Sequence, residues 1–431
     1  MSRRSGHDLG PSVTRVTTSE TPDTGYLPPT LNPFEPGFFD NPYAQYERVR
    51  DEDPVHHSPL GAWVLFRYDD VNRLLRDPTM SVEERHSTGL DIQADPDIQA
   101  MYDERAEGGT HNMLNLDPPD HHRLRRLVSK VFTPATVEQL RPRIQELVDE
   151  HLDAADPAEF DLIAGLAFPL PFIVISEMLG LPEGADRIQL RDWSGAVVKN
   201  FDPVLSRDEQ IAAIHAIDNI IAYVNEVIVW KRANPSGDLL TALIAAEDEG
   251  DRLCEDELVE QVMLLLVAGH ETTVNLIGNG TLALLRHRDQ LELLRDDASI
   301  DDTFVDELLR FDGPVQLTRR VTLKPLEIDG QTIDAGAMLF TVLGSANRDP
   351  AKWGPTADDL DLRRPDARDH VALGAGVHSC LGAHLARLEG QVALRTLVRR
   401  FPAMEAATDR PEWNGRIVIR GLSRFPLRLN E

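Results

Sequence analysis

Apolar residues recur every three to four positions through most of the chain between residues 120 and 310, which predicts a series of amphipathic helices. The stretch 256–287 stands out because its centre is apolar on nearly every side. We therefore predict one long helix there that runs through the protein core. Other predicted helices cover residues 135–155, 300–312 and 384–402.

Two segments have the composition of strands. Residues 62–68 mix β-branched and aromatic side chains, and residues 319–347 alternate apolar and polar positions around an Asp329-Gly330 turn. The predicted fold class is therefore mainly α with a smaller β portion.

Two other segments lack periodicity. Residues 1–30 are rich in Ser, Thr, Pro and Gly, so we predict a disordered tail there and a single domain over residues 31–431. Residues 80–113 are acidic and irregular, and loops of this length in compact domains tend to be functional or mobile.

The chain is strongly acidic, with a formal net charge of −28. Such a surface repels nucleic-acid phosphates and anionic membranes, so we expect no nucleic-acid partner and no membrane association. The N-terminus lacks the apolar core of a secretory signal, and the apolar stretch 262–269 is far shorter than the roughly 20 residues that cross a bilayer. With only Cys254 and Cys380, no disulfide framework is possible, and we predict a cytoplasmic protein.

Cys380 lies in an unusual setting, LGAGVHSCLG, with Gly374, Gly376 and Gly382 around it. Glycines permit the sharp turns that aim backbone N–H groups at a sulfur, and the helix that follows favours a negative charge at its start. A thiolate held in this way suits iron. A buried small hydrophobe, or a nucleophile paired with His378, also agrees with these ten residues.

Five segments, in order, resemble the motifs of the cytochrome P-450 superfamily, and the resemblance extends over about residues 30 to 430. The segments are DPPDHHRLRRLVSKVFTP (117–134), AGHETT (268–273), ELLR (307–310), ANRDP (346–350) and LGAGVHSCLGAHLAR (373–387). The resemblance implies a cytochrome P-450 fold, with haem b between the long central helix and the helix that follows the cysteine loop.

The resemblance makes Cys380 the thiolate ligand of the haem iron, which favours O–O cleavage. By the same resemblance, the haem propionates are held by His121, Arg125, Arg320 and His378. Each of these could be an ordinary surface charge instead. Three neighbouring arginines do not occupy the matching positions, and we interpret them as surface groups: Arg123, Arg126 and Arg319.

Glu307, Arg310 and Arg364 match a structural triad of the family that fixes the segment leading to the cysteine. Glu307 and Arg310 alone would read as an ordinary pair three residues apart on a helix. We therefore do not count these residues as catalytic. Cys254 has no comparable context and is interpreted as structural or incidental.

Glu271 and Thr272 are the predicted catalytic residues. A polar pair inside an apolar helix costs stability unless it has a function, although a Thr that bonds the preceding turn and kinks the helix is the alternative. The resemblance implies that the helix opens beside the haem, that Thr272 hydrogen-bonds the reduced oxygen species, and that Glu271 relays protons through water. Ala268 and Gly269 leave room for dioxygen.

One position departs from the family pattern. Leu373 stands where the family usually has Phe, next to the thiolate and the haem, so the reduction potential could differ while ligation is retained. Gly374 and Gly382 keep the pattern of the loop. Because Glu271 and Thr272 are both present, we favour a monooxygenase over peroxide-using or rearranging relatives and over a haem protein that binds without turnover.

The predicted reaction is hydroxylation or epoxidation of an apolar small molecule, with oxidative coupling as an alternative. Terpenoids, polyketides or macrolides, steroids and fatty acids all remain open as substrates, with a lean towards secondary metabolism. Electrons are expected from NAD(P)H through a separate ferredoxin reductase and ferredoxin. A basic patch of Arg123, Arg126 and Lys130 is predicted to receive the ferredoxin. The predicted substrate pocket comprises the 80–113 loop, the region 165–205, Val267, Ala268 and residues 315–318.

Overall fold

The computed structural model describes residues 30–90, 95–106, 112–129, 132–182, 186–248 and 251–430. The predicted tail, up to residue 29, lies outside these residues, as does Lys130.

The helices within the described ranges, α1–α16 in chain order, are Tyr43–Glu52, Tyr68–Leu74, Pro96–Ala106, Asp120–Ser129, Pro134–Glu138, Arg141–Asp153, Pro169–Leu179, Arg187–Lys199, Arg207–Ala233, Leu239–Ala245, Glu255–Arg286, Arg288–Asp296, Phe304–Asp312, Leu343–Ala346, Pro350–Trp353 and Ala383–Arg400.

The strands in the described part of the chain, β1–β14, are short. They are Val55–His57, Trp63–Leu65, Met80–Ser81, Phe160–Asp161, Glu247–Asp248, Asp251–Arg252, Leu317–Thr322, Leu326–Ile328, Gln331–Ile333, Met338–Val342, Glu405–Ala406, Glu412–Trp413, Leu422–Arg424 and Pro426–Arg428. A π-helical turn, Ile163–Ala167, precedes α7. The mainly helical composition with a smaller β portion is as predicted.

The central helix α11 has 32 residues and is about 48 Å long. Its first turn is closed by Glu257, whose side chain accepts from the Cys254 N–H at 2.9 Å. Cys254 therefore has a structural place at the helix start. Buried residues cover most of the circumference of α11, as its apolar sequence predicts.

Two apolar cores meet along α11. Its first half, including Val262 and Leu266, packs with α7, α8, α9 and α10. Its second half, including Ile277 and Leu284, packs with α6, α13 and α16. The AGHETT segment, residues 268–273, lies between these two cores, so its side chains are not all committed to packing.

The main sheet has the strand order β1-β2-β10-β7-β3. Strand β10 pairs antiparallel with β7, with Leu339 opposite Arg320, and parallel with β2. The hairpin β8–β9 turns at Asp329 and Gly330, both with positive φ, as the turn signal predicts. The sheet places Arg320 on the strand that also pairs with β3 at the start of the 80–113 segment.

Three predictions of local structure were wrong in detail. The 80–113 segment is not wholly irregular, because it contains β3 and the helix α3, Pro96–Ala106. The helical pattern at 135–155 forms two helices that break at Gln139. The short strands after residue 404 were not predicted, because two- and three-residue strands give too little alternation to detect.

Helix α9, Arg207–Ala233, is long and apolar enough to span a membrane by length and composition. It packs along α8 and α11 and buries Ile220, Val224 and Val227 in the core. A core helix of this kind meets the same length and composition criteria.

Candidate active site

The loop before α16 is shaped by glycines. Gly374 and Gly376 both adopt positive φ, near 67° and 68°, and a side chain on Gly376 would collide with the Leu75 carbonyl oxygen. The Cys380 N–H donates to the Leu373 carbonyl at 2.8 Å, which closes the loop. Gly382 differs from Gly376, because a Cβ at Gly382 would meet no protein atom within 4 Å. Only a bound non-protein group would therefore require a residue as small as glycine at this position.

Cys380 is accessible, yet protein surrounds it closely enough that burial raises the pKa of its thiol. The two observations agree if the accessible surface of Cys380 faces an internal cavity rather than the outside of the protein. The Gly382 N–H and the charges of Arg125 and Arg387 oppose the rise in pKa, because each stabilises the thiolate. Arg387 was not singled out from the sequence.

Four basic residues from three separate elements lie together beside this loop: His121 and Arg125 on α4, Arg320 on β7, and His378. The rings of His121 and His378 are 4.3 Å apart between centroids. Among the described residues, no carboxylate lies within 4.0 Å of Arg125 or Arg320, and His121 Nδ1 is buried without a hydrogen-bond partner.

Burial is the main cause of lowered pKa values in this cluster, and the neighbouring basic groups add to the effect at the two histidines. Burial, with the nearby charge of Arg125, lowers the pKa of His121 to about 4. Burial, with His121, Arg320 and Arg125, lowers the pKa of His378 to about 3. Burial lowers the pKa of Arg320 to about 10. Buried cations are normally paired, so this cluster fits a ligand that carries more than one negative charge.

Ala268 is exposed and Thr272 is partly exposed, and the two lie one turn apart on the same face of α11. The Thr272 hydroxyl donates to the Ala268 carbonyl at 3.1 Å, as in the alternative interpretation of this residue. The opening of the helix implied by the resemblance is not seen, because α11 is continuous from Glu255 to Arg286. Gly269 packs against Ile175, where a Cβ would lie 3.0 Å from the side chain.

Glu271 is buried and its carboxylate accepts a hydrogen bond from Arg416 at 2.7 Å. Both residues line a pocket of about 270 Å³ with polar groups from α8, including Arg191 and Asp192, and with Asn275 of α11. Arg416 was missed in the sequence. It lies 145 residues from Glu271 in a segment without a motif, so no local signal points to it.

The Glu307 cluster has every charge satisfied. Arg310 binds both Glu307 oxygens, at 2.7 and 2.8 Å, and Arg364 Nε is 3.2 Å from Glu307. Arg310 also donates to the Asn347 and Ala357 carbonyls. The side chains of Glu307 and Arg310 are fully buried. These contacts join α13 to the segment that leads to the cysteine loop.

The three arginines interpreted as surface groups have different surroundings. Arg123 forms an ion pair with Glu257 of α11, and Arg319 lies 3.0 Å from Glu84. Arg126 is exposed. The prediction that Arg123 belongs to an open basic patch is therefore wrong, because its charge is neutralised within the chain.

The predicted pocket residues separate into two kinds. Val267 and Leu317 are buried in the same core as Ile175, whereas Ala268 is accessible. Residues 417–419 join this core and were missed, although Ile419 bridges to Val315 in the predicted 315–318 stretch.

Comparison with known proteins places this site in a family. A family model described as Cytochrome P450 matches residues 196–418. The chain is 42% identical over 402 residues to cytochrome P450 monooxygenase PikC of Streptomyces venezuelae, covering 91% of this chain and 92% of that one. It is 42% identical over 403 residues to vitamin D(3) 25-hydroxylase of Pseudonocardia autotrophica, covering 91% and 95%.

A solved structure gives the same result. The cytochrome P450 PksS of the Bacillus subtilis bacillaene polyketide synthase superposes with a TM-score of 0.82 at 37% identity, covering 93% of this chain and all of that one. The chain therefore belongs to the cytochrome P450 family. It is an oxidoreductase of the monooxygenase class, and membership implies a haem-iron cofactor.

Proposed function

We propose that this protein is a haem-thiolate monooxygenase that hydroxylates or epoxidises an apolar small molecule. The observation that supports this most directly is the accessible Cys380 beside four basic groups, none of which forms a described ion pair with a carboxylate. Cys380 would hold the iron, and His121, Arg125, Arg320 and His378 would hold the two propionates of haem b. Gly374, Gly382 and Leu373 would shape the loop against the ring. The bound haem supplies the binding and reductive activation of dioxygen.

The residues of α11 have distinct parts in this proposal. Ala268 leaves space beside the helix, and the Thr272 hydroxyl, one turn on, is accessible to a bound oxygen molecule. Glu271 lines the polar pocket and can exchange protons with water there. Because Arg416 donates a hydrogen bond to Glu271 Oε2 at 2.7 Å, we propose that this bond breaks when Glu271 carries a proton towards Thr272.

The substrate class is proposed from the relatives and from the apolar core near Ala268. One relative is named as a hydroxylase of vitamin D(3), and a structural neighbour belongs to a polyketide synthase. We propose a polyketide- or steroid-sized substrate, consistent with secondary metabolism and a cytoplasmic location. Product analysis would separate hydroxylation, epoxidation and oxidative coupling.

The first test is the spectrum of the reduced protein with carbon monoxide. A strongly red-shifted Soret band is expected, since a thiolate ligand donates electron density to the iron. A band typical of histidine-ligated haem would contradict the assignment of Cys380. Thr272→Ala should then raise peroxide release relative to product, while unchanged coupling would contradict its role.

We further propose that electrons come from NAD(P)H through a ferredoxin reductase and a ferredoxin that docks near Arg126, on the helix that carries Arg125. Arg126→Glu should slow reduction by ferredoxin without changing haem content, because it reverses a charge at the docking surface. Arg207→Glu, at the exposed start of α9 and so at the opposite end of that helix from the first turn of α11, is the matched control. Equal reduction rates in the two variants would reject the docking position.

A further inference from the structure

The AGHETT segment contains a histidine that the proposed reaction does not use. His270 is fully buried on α11, and its ring is edge-on to Phe172 at 5.3 Å and to Phe168 at 6.1 Å between centroids. The two aromatic rings hold the imidazole in one orientation, so its two nitrogens have fixed and different surroundings.

The hydrogen bonding assigns the proton of this imidazole. His270 Nδ1 lies 2.7 Å from the Leu266 carbonyl oxygen, which can only accept, so Nδ1 carries the hydrogen. Burial lowers the pKa of His270, which keeps the ring neutral and leaves a lone pair on Nε2. No described donor reaches Nε2, and Glu271 Oε1 lies 3.8 Å from it.

Glu271 therefore lies between two unlike partners. Arg416 donates to Oε2 and favours the carboxylate, whereas Nε2 of His270 faces Oε1, and two acceptors repel each other. Once Glu271 is protonated, its O–H becomes a donor that Nε2 can accept. The other charged groups that face this pair are Arg191 and Asp192, both on α8.

We propose that His270 is a positioning residue for proton transfer, whose Nε2 accepts a hydrogen bond from protonated Glu271 after that side chain leaves Arg416. A proton from water in the polar pocket binds the Glu271 carboxylate and gives the neutral acid. The acid then releases Nε2, passes this proton to a water molecule beside Thr272 and returns to Arg416 as a carboxylate. The inference rests on the proposed monooxygenase function.

The test follows the carboxylic-acid C=O band of Glu271 in infrared difference spectra of the haem-loaded protein across pH, assigned by its loss in Glu271→Gln. His270→Phe keeps a ring between the two aromatics and removes the acceptor. It should lower the protonated fraction of Glu271 about fivefold at a given pH, the effect of one net hydrogen bond. His270→Gln keeps an acceptor and should restore the wild-type titration.

Equal titration midpoints in wild type and His270→Phe would overturn the proposal and leave His270 as a packing residue. If His270→Phe does not fold, the wild-type band decides, since an acid bonded to Nε2 absorbs at lower frequency than a free acid. A free-acid frequency would also overturn it. If the proposed monooxygenase function is wrong, the carbon monoxide spectrum will lack the band of a thiolate-ligated haem. The infrared titration of Glu271 can still be interpreted in that case.

Discussion

Two buried charged clusters flank the cysteine segment, and they satisfy their charges in opposite ways. In one, Glu307 binds Arg310 and Arg364, and the remaining arginine donors reach backbone carbonyls. In the other, Arg125 and Arg320 lie among histidines, and among the described residues the charge of Asp117 acts on Arg320 only from beyond ion-pair distance. The first cluster is complete within the chain. The second fits an anionic ligand, and we propose that its arginines bind the cofactor while those of the first cluster are structural.

The largest expected effect comes from breaking the complete cluster. Glu307→Gln removes the counter-charge of two buried guanidinium groups, so we expect a loss of about 3–5 kcal/mol in the free energy of unfolding. Urea denaturation of the haem-loaded protein measures it. Arg363→Gln is the control, because the Arg363–Asp297 pair next to this cluster is exposed and should contribute no more than about 1 kcal/mol. Similar losses in both variants would contradict the distinction.

A substitution in the second cluster should weaken the retention of haem by the protein. If Arg320 donates to a haem propionate as proposed, Arg320→Gln removes a charged hydrogen bond worth about 1.5–3 kcal/mol, and haem should transfer to excess apomyoglobin roughly 10- to 100-fold faster. Arg319→Gln is the matched control on the same strand, since Arg319 pairs with Glu84 instead. Equal transfer rates would mean that Arg320 has no part in holding the cofactor.

The sequence predicted those parts of the fold that depend on long local patterns. The apolar stretch at 256–287 predicted α11 to within a residue at each end, because a helix buried on all sides has an unmistakable composition. The glycines around Cys380 predicted a tight loop before a helix, which the positive φ angles of Gly374 and Gly376 show. Helix α3 was missed because its polar sequence buries little besides Ile98.

The candidate site was less predictable where partners are distant in sequence. Motif positions indicated Glu271 and Thr272, but Arg416 is brought to the site only by tertiary packing. Arg387 lies within the motif 373–387, but no role was assigned to its charge. Arg123 could not be told from an open surface charge, because its partner Glu257 lies 134 residues away. These contacts have no periodicity or spacing that a single sequence could reveal.

A third buried group, Glu389, differs from both clusters because it stays neutral. Glu389 of α16 is fully buried, and burial raises its pKa from 4.5 to about 8, although Thr273 opposes the rise. The folded protein then binds this proton more tightly than the unfolded chain, so stability should fall as pH rises from 4.5 towards 8. The slope is at most about 1.4 kcal/mol per pH unit.

Glu389→Gln should remove that slope, because the amide is neutral at every pH. Urea unfolding at several pH values within this window measures the difference, and Glu405→Gln, at an exposed position, is the control. If Glu389→Gln keeps the wild-type pH dependence, the carboxyl is ionised in the folded protein and a cation must be near it.

The smallest effect is expected where solvent already satisfies the charges. Arg207 of α9 pairs with Asp95 at 2.7 Å and Asp97 at 3.3 Å, and Tyr102 of α3 donates to Asn200 at 2.8 Å. Exposed pairs contribute up to about 1 kcal/mol and weaken with salt. Arg207→Gln should therefore speed hydrogen exchange across α3 by up to about fivefold at low salt and less at high salt. Arg232→Gln, which breaks the exposed pair with Glu255, should leave α3 unchanged. A much larger effect would mean that these exposed contacts contribute as much stability as buried ones. The exposure of a charged group would then not determine how much its removal costs.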